Sequence, residues 1–204
     1  DGYNQAIVVS ISSQMSGIYN TAQIAANGVE GIEVFAFDSK TVAYPQAKMA
    51  LRACEMIEEG SQVPEILEEL AYIRDNNKVY FGVHTLTYLV KNGRLSNASG
   101  FIGNTLKIKP ILTITKEGKV DTVEKIRTFS KAVEKILEMY FNETEGLDVE
   151  PFVIHANNPE TRDYMIKRIH EKDPNADVFD MPLTAVVGAH GGPKTIGLGY
   201  YIKK

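Results

Sequence analysis

One cysteine, Cys54, stands in a chain of 204 residues. A lone thiol forms no internal disulfide, and no paired Cys/His spacing of the zinc-binding kind is present, so no metal is expected. Cys54 falls in a helical pattern with Ala50, Leu51 and Ile57, which predicts a buried structural thiol. Positive charge is also short: 22 lysines and arginines face 26 acidic residues, for a net charge of -4 and a pI of about 5.6. Such a chain lacks the basic footprint of a phosphate-backbone binder, which argues against a DNA-binding regulator and against any nucleic-acid partner. No run of 18 apolar residues occurs, so no spanning helix and no stable membrane insertion are expected. No signal-peptide pattern opens the chain, and a cytoplasmic setting is expected. Asp1 and Gly2 lead at once into a strand pattern with no initiating methionine, which reads as a truncated start. Internal repeats and low-complexity stretches are absent. So are Gly-Lys-Ser/Thr, G-x-G-x-x-G and G-x-S-x-G signatures.

What is present is an ordinary globular composition, 44% hydrophobic and 24% charged. A chain of this length buries enough surface to need no staples. Residues 6–11 form a β-branched apolar run, which predicts a strand buried on both faces. Residues 18–27 predict a helix, 32–37 a second strand, and 44–59 a helix stopped by Gly60. A further helix begins near Pro64, with Ile66, Leu67, Leu70 and Ile73 on its core stripe, and residues 78–84 predict a third strand. Strands alternating with helices imply βαβ units and a mostly parallel sheet over residues 1 to 85.

The second half reads differently. Residues 107–115 and 120–127 flank Lys116, Glu117, Gly118 and Lys119, an antiparallel hairpin pattern. Phe129, Val133, Ile136, Leu137, Tyr140 and Phe141 mark an amphipathic helix. Strands are expected at 151–155, 177–181 and 195–202, with a helix at 159–170. The expected fold class is therefore α/β in two domains. Residues 1–90 form a mostly parallel α/β domain, and residues 91–204 form an α+β domain with a mixed sheet.

Residues 12–19 lie between a strand's carboxyl end and a helix start. Ligands bind in that crevice in open parallel sheets, and a helix start suits an anion. Ser16 offers a hydroxyl donor, with Ser13 nearby, and Gly17 permits close backbone approach. The alternative is that Ser16 simply caps the helix. Around His190, glycines 188, 191 and 192 leave the ring room beside a ligand, or else the histidine packs a turn. His170 ends a helix, and His84 and His155 end strands, where structural roles suffice. Arg94 follows an Asn-Gly turn and Arg127 ends the hairpin; solvated surface is the plain reading of both. Ser16 with His190 also suggests a serine-dependent esterase or acyl-transfer enzyme, but no third residue to orient the histidine is identifiable.

At these residues the chain resembles the DegV family of bacterial fatty-acid-binding proteins. Residues 11–22 resemble the family's serine loop and following helix, and 37–40 (FDSK) its DSK turn. Residues 89–96 resemble its YLKKGGRIS segment, 106–112 its LNIKPIL strand, and 187–198 its final GTHTGPGALGL loop. The resemblance implies that residues 1–90 are the remainder of an N-terminal domain, with a lipid site between the two domains. It implies that Ser16, Gly17 and His190 bind a long-chain fatty acid's carboxylate, with Ser13 and Gly191 in support. Arg94 and Arg127 would lie near the head group, on the face met by a fatty acid kinase. The kinase would make an acyl-phosphate for phospholipid synthesis, while the carrier itself does no bond chemistry and needs no cofactor beyond the bound acid. There are departures. The family usually starts with a further segment that completes the carboxylate site, so a fragment, or help from another chain, is expected. Ile18 stands where threonine is common, and Ala189 and Gly191 replace two threonines beside the histidine. Fewer polar neighbours imply looser carboxylate geometry.

Overall fold

The computed structural model describes residues 2–95 and 108–204. Ser96, Leu106 and Lys107, which belong to two of the motifs above, lie outside the described residues. The chain divides into two compact units: Asp1–Asn76 with Lys116–Lys119, and Asn77–Thr115 with Val120–Lys204.

In the first unit, β1 (Gln5–Ser10), α1 (Ile18–Ala26), β2 (Glu33–Asp38), α2 (Tyr44–Glu58) and α3 (Val63–Asp75) follow one another. β1 and β2 pair in parallel from Gln5↔Glu33 to Ser10↔Asp38, the βαβ arrangement that the alternation predicts. Phe37, Met49, Ala53, Met56, Ile66, Leu70 and Ile73 form the core. Helix α3 begins as its sequence asks. Pro64 stands in the first turn, and the Glu65 carboxylate accepts the Gln62 N–H at 2.8 Å.

Two expectations fail here. Helix α2 buries Met49, Ala53 and Met56, while Leu51, Cys54 and Ile57 are exposed, so Cys54 is a surface thiol. Two adjacent stripes of this helix are similarly apolar, and periodicity alone cannot choose between them. The central residues of β1 and β2 are mostly half-buried rather than buried on both faces. Among the described residues each strand has only the other as a partner.

The second unit holds β3 (Asn77–Gly82), α4 (Thr87–Lys91), β4 (Lys109–Ile114), β5 (Val120–Ile126), α5 (Phe129–Thr144), β6 (Val149–His155), α6 (Pro159–Lys172), β7 (Phe179–Pro182), α7 (Ala185–Gly191) and β8 (Ile196–Ile202). Its sheet runs β5-β4-β3-β8-β6-β7. The β6–β7 pair is parallel and the others are antiparallel. Ile136 and Leu137 of α5 and Met165 and Ile169 of α6 pack with Ile111, Val153, Ile196 and Leu198 of the sheet. The Glu143 carboxylate near the end of α5 accepts the Tyr80 hydroxyl at 2.5 Å and the Tyr200 hydroxyl at 2.9 Å. Burial, and then these bonds, push both phenols well above their usual range.

β3 is the third correction. The alternation pattern assigns it to the parallel sheet, yet it runs antiparallel between β4 and β8. A short apolar run records burial, not the identity of its neighbours. The registers place the ends of β3, β5, β6 and β7 and the starts of β4 and β8 at one edge of this sheet. No helix among the described residues is long and apolar enough to cross a membrane.

Candidate functional site

The loop after β1 is built by its serines. Ser12 is fully buried and donates to the Gly118 carbonyl at 2.8 Å, while its hydroxyl accepts the Gln14 N–H at 3.2 Å. Ser13 reaches Asp38 twice, through its N–H at 3.1 Å and its hydroxyl at 2.6 Å. Asp38 also accepts the Lys40 N–H at 3.0 Å, so the DSK turn and the serine loop share one carboxylate. These bonds set the direction in which the chain enters α1.

Ser16 is half-buried and accepts only a long bond, 3.3 Å, from the Ile18 N–H. The residue at the N-cap of α1 is Gly17, at φ -75° and ψ 0°, with no side-chain cap. Capping therefore accounts poorly for Ser16, whose hydroxyl proton has no acceptor among the described residues. Gly17 is exposed, and a Cβ there would meet nothing within 4 Å. Neither its backbone angle nor its packing demands glycine; what glycine leaves is a bare helix start.

In the second unit, His190 sits in the last turn of α7 rather than in an open loop. It is half-buried, and its Nδ1 is buried with no hydrogen-bond partner among the described residues. Two of the three neighbouring glycines have a packing reason of their own. A Cβ on Gly191 would lie 2.9 Å from the Thr195 hydroxyl, and a Cβ on Gly192, at φ +81°, would lie 2.4 Å from the Tyr88 ring. Gly191 and Gly192 thus let α7 pack and turn, while a Cβ on Gly188 would meet nothing within 4 Å.

The other three histidines are engaged. His155 Nδ1 accepts the Asn158 N–H at 3.2 Å, and His170 Nε2 lies 3.0 Å from the Ala176 carbonyl. The His84 ring packs on Phe129 with centroids 4.2 Å apart. Arg94 is exposed and donates to the Asn92 carbonyl at 2.6 Å. Asn92 in turn donates to Ala189 at 3.3 Å, which ties the Arg94 turn to the His190 helix. Arg127 is exposed between β5 and Thr128, the residue that caps α5. Sequence reasoning passed over Lys109, whose ammonium donates to the His84 carbonyl. Lys109 lies within the 106–112 motif, but nothing in that motif marks its side chain for a contact with residue 84.

Among the described residues no cluster of His, Cys, Asp and Glu is arranged to hold a metal. A Ser-His-acid triad needs an acid on the imidazole; among the described residues His190 Nδ1 has no such partner. Within the first unit the loop before α1 offers a hydroxyl and a bare helix start, and within the second α7 offers an imidazole.

A family model described as "Uncharacterised protein, DegV family" matches residues 1–203. A DegV domain-containing protein of Halalkalibacterium halodurans is 34% identical over 205 positions, covering 100% of this chain and 72% of the relative. The solved structure of DegV from Bacillus subtilis, described as a fatty acid binding protein, is 35% identical with a TM-score of 0.87. That match covers 98% of this chain and 72% of the other. A fatty acid binding DegV family protein from Streptococcus agalactiae superposes with a TM-score of 0.91 at 26% identity, covering 100% and 72% of the two chains.

Proposed function

The chain belongs to the DegV family, and from that premise we propose that it carries one long-chain fatty acid, with Ser16, Gly17 and His190 assigned to the carboxylate. The observation that supports this most is the likeness, at 35% identity and TM-score 0.87, to a fatty acid binding protein. The unpartnered Nδ1 of His190 and the little-used hydroxyl of Ser16 add to it. Each buried methylene contributes about 0.8 kcal/mol, so a long tail supplies on the order of 10 kcal/mol before association costs. Affinity then comes from the tail, and the polar groups orient the head. Hydrogen bonds to the carboxylate offset the cost of taking a charge out of water.

The protein presents the acid to a fatty acid kinase, which forms an acyl-phosphate for phospholipid synthesis. The exposed Arg94 and Arg127 are assigned to the face that the kinase meets. Ser13 acts at one remove by holding the loop through Asp38, and Gly191 by letting α7 pack on Thr195. The carrier performs no bond chemistry, uses no cofactor or metal and works in the cytoplasm.

Lipid extraction and native mass spectrometry of gently purified protein test the central claim. One co-purified long-chain acid per chain is expected. Protein that is consistently empty and also fails to bind added acids overturns it.

A further inference from the structure

One edge of the second unit's sheet gathers basic residues. Gly82 pairs with Ile111 on one side and Ile196 on the other. His84 lies two residues past the end of β3, Lys109 opens β4 and Lys194 stands two residues before β8, so all three sit at this edge of the sheet, and the charges of Lys109 and Lys194 both act on the His84 ring. Lys109 pairs with Ile126, and Arg127 follows next in the chain.

Each of the two lysines is held in place. Lys109 donates to the His84 carbonyl. The Lys194 N–H donates to the Ala156 carbonyl at 2.7 Å, and its own carbonyl accepts the Asn158 amide at 3.1 Å. This fixes Lys194 at φ 60°, a left-handed conformation that suits glycine better than lysine.

Among the described residues neither Lys109 nor Lys194 has an acidic partner, although other cations of this unit do, such as Arg162 with Asp163 and Lys203 with Asp148. Burial, and then the two lysines, hold the His84 imidazole below its usual range. A neutral imidazole between two ammonium groups offers several donors and a net charge of two. That matches a small dianion with several acceptor oxygens better than a carboxylate.

We infer that Lys109, His84 and Lys194 form a seat for a phosphoryl group. The inference deepens the proposed function and rests on it for the source of that group, the acyl-phosphate made from the carried acid. His190 lies on the helix that leads into the same edge, four residues before Lys194. A seat of this kind lets the carrier hold the phosphorylated lipid more tightly than the free acid.

The test uses the full chain with isotope-labelled histidines, titrated with inorganic phosphate, hexadecyl phosphate and palmitate. Phosphate is expected to shift the His84 ring resonances saturably, chloride at matched ionic strength is not, and hexadecyl phosphate is expected to bind more tightly than palmitate. Lys109→Met and Lys194→Gly should each weaken phosphate binding about tenfold. They should also erase the preference for hexadecyl phosphate while leaving palmitate affinity unchanged. Lys194→Gly relaxes the left-handed backbone, so an unchanged or raised melting temperature separates lost charge from lost folding. A His84 signal that ignores phosphate, or variants that bind phosphate like the parent, overturns the seat. A parent that binds phosphate at His84 but neither lipid supports the seat and counts against the fatty-acid reading alone.

Discussion

The side-chain amide of Asn92 donates to the carbonyl of Ala189 at 3.3 Å, across 97 residues of sequence. Close by in the chain, the Tyr88 ring fills the space beside Gly192. Two contacts thus fasten the turn bearing Arg94 to the helix bearing His190. Asn92→Ala is expected to cost about 1 kcal/mol and to speed amide exchange in residues 185–191. Gly192→Ala should cost more, about 1–3 kcal/mol, because the residue combines φ +81° with a ring contact. Unchanged exchange in both variants would show that α7 is held some other way.

Ser16→Ala and His190→Ala should each weaken fatty-acid binding about tenfold, the scale of one hydrogen bond to a charged group. Binding of the corresponding methyl ester should change much less, since the tail is untouched. Calorimetry with acid and ester distinguishes a head-group role from a general packing role. An equal loss for both ligands would argue for packing.

Arg127→Ala should impair phosphorylation of the carried acid by the kinase more than it impairs lipid binding. Salt should weaken the parent's encounter with the kinase and affect the variant's less, as expected for an exposed charge. Parallel loss of both steps would contradict the division of roles.

Glu143→Ala leaves the hydroxyls of Tyr80 and Tyr200 without their shared acceptor. A loss of about 2–4 kcal/mol is expected from urea unfolding, because the hydroxyls of two buried tyrosines lose their bonds. Glu143→Gln keeps one acceptor oxygen and should recover part of it. A neutral result in both would mean that water serves these phenols equally well.

Burial, and then the charge of Arg162, hold the His155 imidazole below its ordinary value of 6.5. In addition, its Nδ1 accepts the Asn158 N–H, which a protonated ring cannot do. The unfolded chain therefore binds the proton first. The His155 contribution is fully present above about pH 6.5 and declines on acidification, levelling off once the folded imidazole also titrates. His84 is shifted in the same direction and adds to the slope. Urea midpoints between about pH 8 and pH 5 check this, and His155→Asn should flatten the slope in part.

Periodicity and punctuation were enough to place most elements within a few residues, and Pro64, Gly60 and the hairpin tip mark real boundaries. Ser16 was legible as a site candidate because it stands between a strand end and a helix start, and that is where the structure has it. The ordered motifs were enough to recognise the family. These features are local, written in runs of residues that are neighbours in the chain.

Tertiary structure decided the rest, because burial patterns record how many faces are covered and not by what. β3 joined β4 and β8 through pairings that no local pattern contains. Helix α2 turned Met49, Ala53 and Met56 inward although Leu51, Cys54 and Ile57 are as apolar a stripe. Gly191 and Gly192 beside His190 answer to Thr195 and Tyr88. Lys109, His84 and Lys194 are unremarkable one by one in the sequence, and only the antiparallel packing of β3 with β4 and β8 brings them to one edge of the sheet.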